Sequence, residues 1–177
     1  ANNNLVNNQD CGLFAPGTVV ARVWNDRNAD GKQNNSETDG VQGVRVELRK
    51  ASGGALLQSR NTNADGLATF AHVPTDIHVQ LEFVKKTNHA RTFADQGSNR
   101  NIDSDANEAT GRTSSFQLVG GSVTIDSVDC GLFVAGTVVA RVWDDKNADG
   151  KQNNSETDGI QGVRVELRRA SGGGLLQ

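Results

Sequence analysis

Read for apolar and polar positions, the chain alternates with a period of two over most of its patterned segments. In VRVELRK, residues 44–50, Val44, Val46 and Leu48 fall on one face and Arg45, Glu47 and Arg49 on the other. HVQLEFV (78–84) repeats the pattern, with Val79, Leu81 and Phe83 turned inward. Successive side chains leave a strand on opposite sides, so this alternation predicts strands with one buried face. GTVVARVW (17–24), rich in β-branched residues, opens the series, and ALLQSRNT (55–62) follows an SGG turn. LATFAHV (67–73) follows the turn NADG, and SSFQLVG (114–120) and SVTIDSVDCGLF (122–133) close it. Seven short strands without an amphipathic helix predict an all-β fold, a two-sheet antiparallel sandwich. The stretch 85–113 is polar and rich in Asn and Asp. A loop that long inside a compact domain is functional, or is held by something other than a core.

The pattern then starts again. Residues 11–58 and 130–177 align with seven differences in 48 positions, mostly conservative, such as Arg27 to Lys146 and Val41 to Ile160. A period of 119 residues is too long for a solenoid repeat and suits a whole domain. The expected organisation is a last strand of a preceding repeat (1–14), one complete repeat (15–133) and the N-terminal part of the next (134–177). Cys11 and Cys130 occupy the same setting, DCGLF, in successive units. Equivalent positions of a tandem array lie about a domain length apart, so an intrachain disulfide is not expected; each cysteine reads as a small buried apolar residue, with a bridge to another chain as the alternative.

Composition adds exclusions. Gly is abundant (20), Pro scarce (2), and Met and Tyr are missing, which favours strands joined by turns. The net charge of −3 is mild and the Arg residues are scattered, so no basic face marks a nucleic-acid partner. No apolar run approaches a membrane span and no signal-peptide pattern opens the chain, which reads as a soluble mature segment without membrane insertion.

The candidate chemistry lies in DRNADGKQNNSE, Asp26 to Glu37, which fits D-x-[DN]-x-[DN]-G-x5-E residue for residue. Asp26, Asn28 and Asp30 would converge their side-chain oxygens, and Gly31 allows the sharp turn. Lys32 would offer its backbone carbonyl, and Glu37 could chelate with both oxygens. Hard oxygen donors in that number suit Ca2+ rather than magnesium or zinc. The same positions return as Asp145, Asn147, Asp149, Lys151 and Glu156. An EF-hand would place helices on both sides, whereas TVVARVWN and VQGVRVELR are strands. The alternative reading is a solvated Asn/Asp/Gly turn. A second acidic group, Asp103 and Asp105 in DSDANE, places alternate carboxylates on one side of an extended run, where they could share a cation. Asp95 and Asp39 are possible helpers, and Asp65 in NADG reads as a turn residue.

VARVWNDRNADGKQNNSETDG, GVRVELR, TNADGLATFAHV, NIDSDAN, TGRT and IDSVDCGL, in that order, resemble the B repeats of bacterial serine–aspartate-repeat surface proteins, within the collagen-adhesin B-like group. The resemblance implies a calcium-stabilised, Ig-like or transthyretin-like sandwich, strung in tandem as a stalk on the cell surface. It also implies calcium at Asp26, Asn28, Asp30 and Glu37, with Asp103 and Asp105 contributing to further sites. Two departures stand out. Thr38-Asp39-Gly40 replaces the usual Glu-Pro-Gly, and Cys130 stands where Ala is usual. Some relatives carry a Lys–Asn isopeptide crosslink from a Lys on the first strand; that strand has Arg22 and no Lys, so none is expected here.

The leading expectation is therefore an extracellular, cell-surface or secreted structural module whose partners are neighbouring repeats of the same chain. A filament subunit completed by strands of identical chains is the first alternative, although 134–177 lack five strands, more than one donated segment replaces. A ligand-binding adhesin module is the second. An enzyme is not expected: His72, His78 and His89 accompany no Ser or Cys motif and no paired carboxylates.

Overall fold

The computed structural model describes residues 10–168, apart from 35 and 154, in two compact units, Ala1–Ala135 and Gly136–Gln177. The strand expected within 1–14 lies largely outside the described residues, and residues 10–14 carry no strand.

The first unit holds β1 (Pro16–Asn25), β2 (Arg45–Lys50), β3 (Leu56–Asn61), β4 (Leu67–Pro74), β5 (His78–Phe83), β6 (His89–Arg91), β7 (Phe116–Gln117) and β8 (Thr124–Val134). They form two sheets in the orders β4-β1-β8-β6 and β3-β2-β5-β7. The all-β sandwich expected from alternation is present, with two details that alternation does not carry. β1 and β8 pair in parallel, from Thr18 opposite Thr124 to Asn25 opposite Leu132; a period of two reports which face is buried, not which way a strand runs. β6 lies inside the polar stretch expected to be loop, its three residues paired with Val134, Phe133 and Leu132 of β8. Three residues are too few to show a period. The expected strand over 114–120 shrinks to two residues, Phe116 and Gln117.

The core lies between the sheets. Val19, Ala21 and Val23 of β1 face Val46 and Leu48 of β2 and Val79, Leu81 and Phe83 of β5, all at most 1% exposed. Burial of each large side chain contributes roughly 1.5–3 kcal/mol. Glu47, expected on the solvent face, is 5% exposed, because Arg45 and Arg49 fold over it as ion-pair partners.

Among the described residues of the second unit there is no strand; Trp143 and Gly159 form an isolated bridge, and Arg168 is a further bridge position. Val138, Val163 and Val165 are exposed, whereas their counterparts Val19, Val44 and Val46 are buried. The 177 residues contain no second copy of 59–129, the stretch that supplies β4, β5, β6, β7 and the first half of β8 in the first unit.

Candidate metal centre

Where β1 ends, the chain folds on its own carboxylates. Asp26 Oδ1 and Oδ2 accept from the backbone N–H groups of Asp30 (3.3 Å) and Gly31 (2.9 Å), and Asp30 Oδ1 accepts from Lys32 N–H (2.8 Å). These are Asx-type turns, in which a short acidic side chain replaces a backbone acceptor. Asn28 Oδ1 accepts from Asp30 N–H at 3.0 Å, and its Nδ2 donates to Asp30 Oδ2 at 3.0 Å. Gly31 has φ +82°, as the motif requires, and a Cβ there would lie 2.4 Å from the Phe93 carbonyl oxygen. Glu37 is gripped at both oxygens. Oε1 accepts from Arg27 N–H (2.9 Å), and Oε2 from the backbone and side-chain nitrogens of Asn34, both at 3.0 Å.

As a result, Asp26, Asp30 and Glu37 bring carboxylate oxygens within 4.8 Å of one another. Asp26 is fully buried and Glu37 is 2% exposed. The loop is docked on the sandwich by Asp26 N–H to Leu132 O (2.8 Å), Gln33 N–H to Ile102 O (2.6 Å) and Ser104 N–H to Gly31 O (3.1 Å). An antiparallel bridge pairs Lys32 with Asp103. The far side is closed by an Arg27–Asp39 ion pair and by Arg22 Nη2 donating to the Thr38 carbonyl at 2.9 Å. Three hard carboxylates without His or Cys fit a calcium ion and suit zinc poorly.

Ala29, at the loop's fourth position, has φ +53°, and its counterpart Ala148 +58°. The left-handed region costs an alanine about 1–2 kcal/mol, partly offset in a glycine by the larger entropy of its unfolded chain. Ala29→Gly is expected to raise the stability of the metal-free first unit by about 0.5 kcal/mol in urea unfolding; a loss of stability would contradict the strained backbone.

The second acidic group sits beside the loop without joining its three carboxylates. Asp103 is 1% exposed and its Oδ1 has no hydrogen-bond partner in the protein. Asp105 turns toward β8, its Oδ2 accepting from Asp129 N–H at 2.7 Å, while Asp129 Oδ1 accepts from Arg22 N–H at 3.2 Å. Burial is the largest cause that raises all three carboxyls, Asp105 to about 6 and Asp129 to about 7. A raised carboxyl favours the folded state while protonated, and that contribution is lost as pH rises through the folded value. In chelator, the first unit is therefore expected to be more stable at pH 5 than at pH 8, most of the loss falling between about 4 and 7. Urea midpoints across that range check it; a rise toward pH 8 would reverse the sign.

Asp145, Asp149 and Glu156 form the corresponding cluster in the second unit, again within 4.8 Å. Asn147 Nδ2 donates to Asp149 Oδ2, and Lys151 N–H to Asp149 Oδ1. The two proposed helpers are engaged in ion pairs, Asp39 with Arg27 and Asp95 with Arg100, and Asp65 lies in the expected turn, its N–H bonded to Asn63 Oδ1. Cys130 is buried and free, as expected, its thiol pushed up to about 12 by desolvation, whereas Cys11, expected to be buried as well, is free and exposed. His72, His78 and His89 lie on three different strands.

Three contributors escaped the motif. Asn34 sits in the loop's unspecified five positions. Arg22 reads as an outward strand residue. Asp129 belongs to a run, Val128 to Leu132, that is buried throughout; the only signal is that VDCGL does not alternate.

The model of the SdrD B-like domain family matches residues 17–132. The serine-aspartate repeat-containing protein F of Staphylococcus epidermidis is 32% identical over 166 residues, 92% of this chain and 9% of that protein. The serine-aspartate repeat-containing protein D of Staphylococcus aureus strain Newman is 33% identical over 147 residues, 82% of this chain and 10% of that protein. The chain thus spans about a tenth of the length of the curated relatives it matches. The minor pilin GBS52 of Streptococcus agalactiae superposes with a TM-score of 0.47 at 10% identity, over 72% of this chain and 48% of that one. On the family match and the order of its strands and loops, the chain belongs to the SdrD B-like domain family.

Proposed function

We propose that this chain is a calcium-stabilised structural repeat of a cell-surface protein, a stiff segment of an extracellular stalk that holds another part of its protein away from the surface. The observation that carries this reading is the parallel pairing of β1 and β8. Because they run side by side in one direction, the chain enters the first unit at one end and leaves it at the other. Domains built so can be strung end to end, the geometry a spacer needs. The loop of Asp26, Asp30 and Glu37 sits at the exit end, bonded to β8 through Asp26 N–H and Leu132 O. A cation there would tie the two terminal strands together.

In this reading Asp26, Asn28, Asp30 and Glu37 hold calcium with the Lys32 carbonyl, and Asp145, Asn147, Asp149, Lys151 and Glu156 do so in the next repeat. Asp103 and Asp105 serve a further cation, supported by the buried Asp103 Oδ1 that no protein group satisfies. The repetition favours spacing over a unique binding face, and no catalytic role is proposed.

Asp30→Ala tests the loop directly. Calorimetric titration should show calcium affinity at that loop falling at least about tenfold, since one of few charged ligands is lost. An unchanged titration would remove Asp30 from the site and with it the proposed stiffening.

A further inference from the structure

The two copies of the loop offer an internal comparison, because one is embedded in a sandwich and the other is not. Among the described residues of the second unit no strand is formed, and the docking bonds that Leu132, Ile102 and Ser104 give the first loop have no counterpart. The aspartate turns nonetheless keep their geometry, although Asp145 and Asp149 are more exposed than Asp26 and Asp30, and Asn153 N–H reaches Glu156 Oε2 at 3.3 Å against 3.0 Å for Asn34 and Glu37. Gly150 N–H reaches Asp145 Oδ2 at 2.8 Å, against 2.9 Å for Gly31 and Asp26. Lys151 N–H and Lys32 N–H both reach their aspartates at 2.8 Å. The closing contacts repeat as well: a Lys146–Asp158 ion pair at 3.1 Å, Arg141 Nη2 to the Thr157 carbonyl at 2.8 Å, and Ile160 N–H to Val142 O at 3.1 Å. Glu156 is 1% exposed and Glu37 2%. What buries the chelating glutamate is therefore the loop itself and not the sandwich.

We infer that residues 141–160, and by equivalence 22–41, form a self-contained cation-binding element that closes around its ion before the β-sandwich assembles. The inference rests on the calcium reading given above. Its physical content is that local hydrogen bonds set the direction of each carboxylate, while the mutual repulsion of three carboxylates is the main force opening an isolated loop, and a cation removes that force. The sandwich then adds affinity by docking a loop already formed. The cation acts early, fixing the end of the first strand and bringing Val41 or Ile160 back beside it.

Terbium, a calcium-sized trivalent probe, tests this in the full chain, because Trp24 and Trp143 each lie two residues before a loop and can sensitise its emission. The double variant Asp30→Ala with Asp149→Ala supplies the blank. With the first loop disabled by Asp30→Ala, calcium-competed emission from the second loop is expected to persist. Its midpoint should lie within about 30-fold of that of the Asp149→Ala chain, in which only the embedded loop is intact, a difference of about 2 kcal/mol. Loss of emission in the Asp30→Ala chain, or a midpoint more than about 100-fold weaker, would show that the loop needs the sandwich and overturn the inference while leaving calcium binding in place. No calcium-competed emission in the unaltered chain would overturn the calcium reading and this inference together.

Discussion

Chelation of calcium is expected to lower the melting temperature of the first unit by on the order of 10 °C, and magnesium is expected not to restore it. The loop holds Asp26, Asp30 and Glu37 with carboxylate oxygens within 4.8 Å of one another, two of the residues almost fully buried. Like charges at that separation repel by roughly 1–3 kcal/mol per pair at effective dielectric constants between those of water and a protein surface. The N–H donors from Arg27, Gly31, Lys32 and Asn34 offset only part of that. A cation that binds the folded form more tightly than the unfolded one adds stability by mass action. If the open loop binds about 30-fold more weakly, the loop contributes about 2 kcal/mol and then saturates, however much calcium is added. Near 4 °C per kcal/mol for a domain of this size, that is about 8 °C. A further cation at Asp103, as proposed above, would supply the remainder, and only once segments 94–95 and 103–105 are paired. Magnesium keeps its waters and prefers few protein ligands, so it fills such a loop poorly. Differential scanning calorimetry with and without EDTA decides the matter. An unchanged melt would sink the calcium-stiffened stalk, and a shift that keeps growing with calcium concentration would show that the unfolded loop does not bind.

Much of this was legible because alternation and the twelve-residue motif are local. Val44, Val46 and Leu48 announce their buried face within seven residues, and Asp26 to Glu37 contains nearly all the hydrogen bonds that shape its own turn. The family resemblance, carried by the order of these segments, anticipated the family that residues 17–132 match. What could not be read is what depends on partners far along the chain. The parallel direction of β8 is decided by where the chain must re-enter the sheet, at Thr124, 99 residues after the end of β1 at Asn25. β6 exists because the far edge of β8 offers hydrogen bonds to whatever passes, and three residues of HAR carry no pattern of their own. Glu47 looked exposed by parity, and only the neighbouring guanidinium groups cover it. Asp129 is buried because Asp105, 24 residues earlier, pairs with its backbone.

Gly40→Ala is expected to cost roughly 3 kcal/mol in the first unit, and Gly159→Ala is its built-in control. Gly40 follows the loop, forms a bridge with Trp24, and rests against the turn 63–66. A Cβ there would lie 2.0 Å from the carbonyl carbon of Asp65, 2.2 Å from its oxygen and 2.3 Å from Gly66 N. All three neighbours are backbone, so no side-chain rotation relieves the clash and the two turns must separate. Gly66 is equally committed: at φ +76° its own Cβ would meet Val23 O at 2.1 Å. Separation would strain Val23 N–H to Gly66 O (2.8 Å) and Val41 N–H to Val23 O (2.9 Å), the bonds that fix the end of β1 from which the binding loop hangs. In the second unit Gly159 occupies the same position, but its nearest neighbour would be Val142 O at 3.8 Å, ordinary contact. Gly159→Ala is therefore expected to change stability by no more than about 0.5 kcal/mol, as surface substitutions usually do. Urea unfolding of the two variants side by side separates the causes. A cost that appears only at Gly40 assigns it to the packed turns, whereas equal costs at both positions would mean that glycine is needed by the loop's own backbone and that the interlocked turns are incidental.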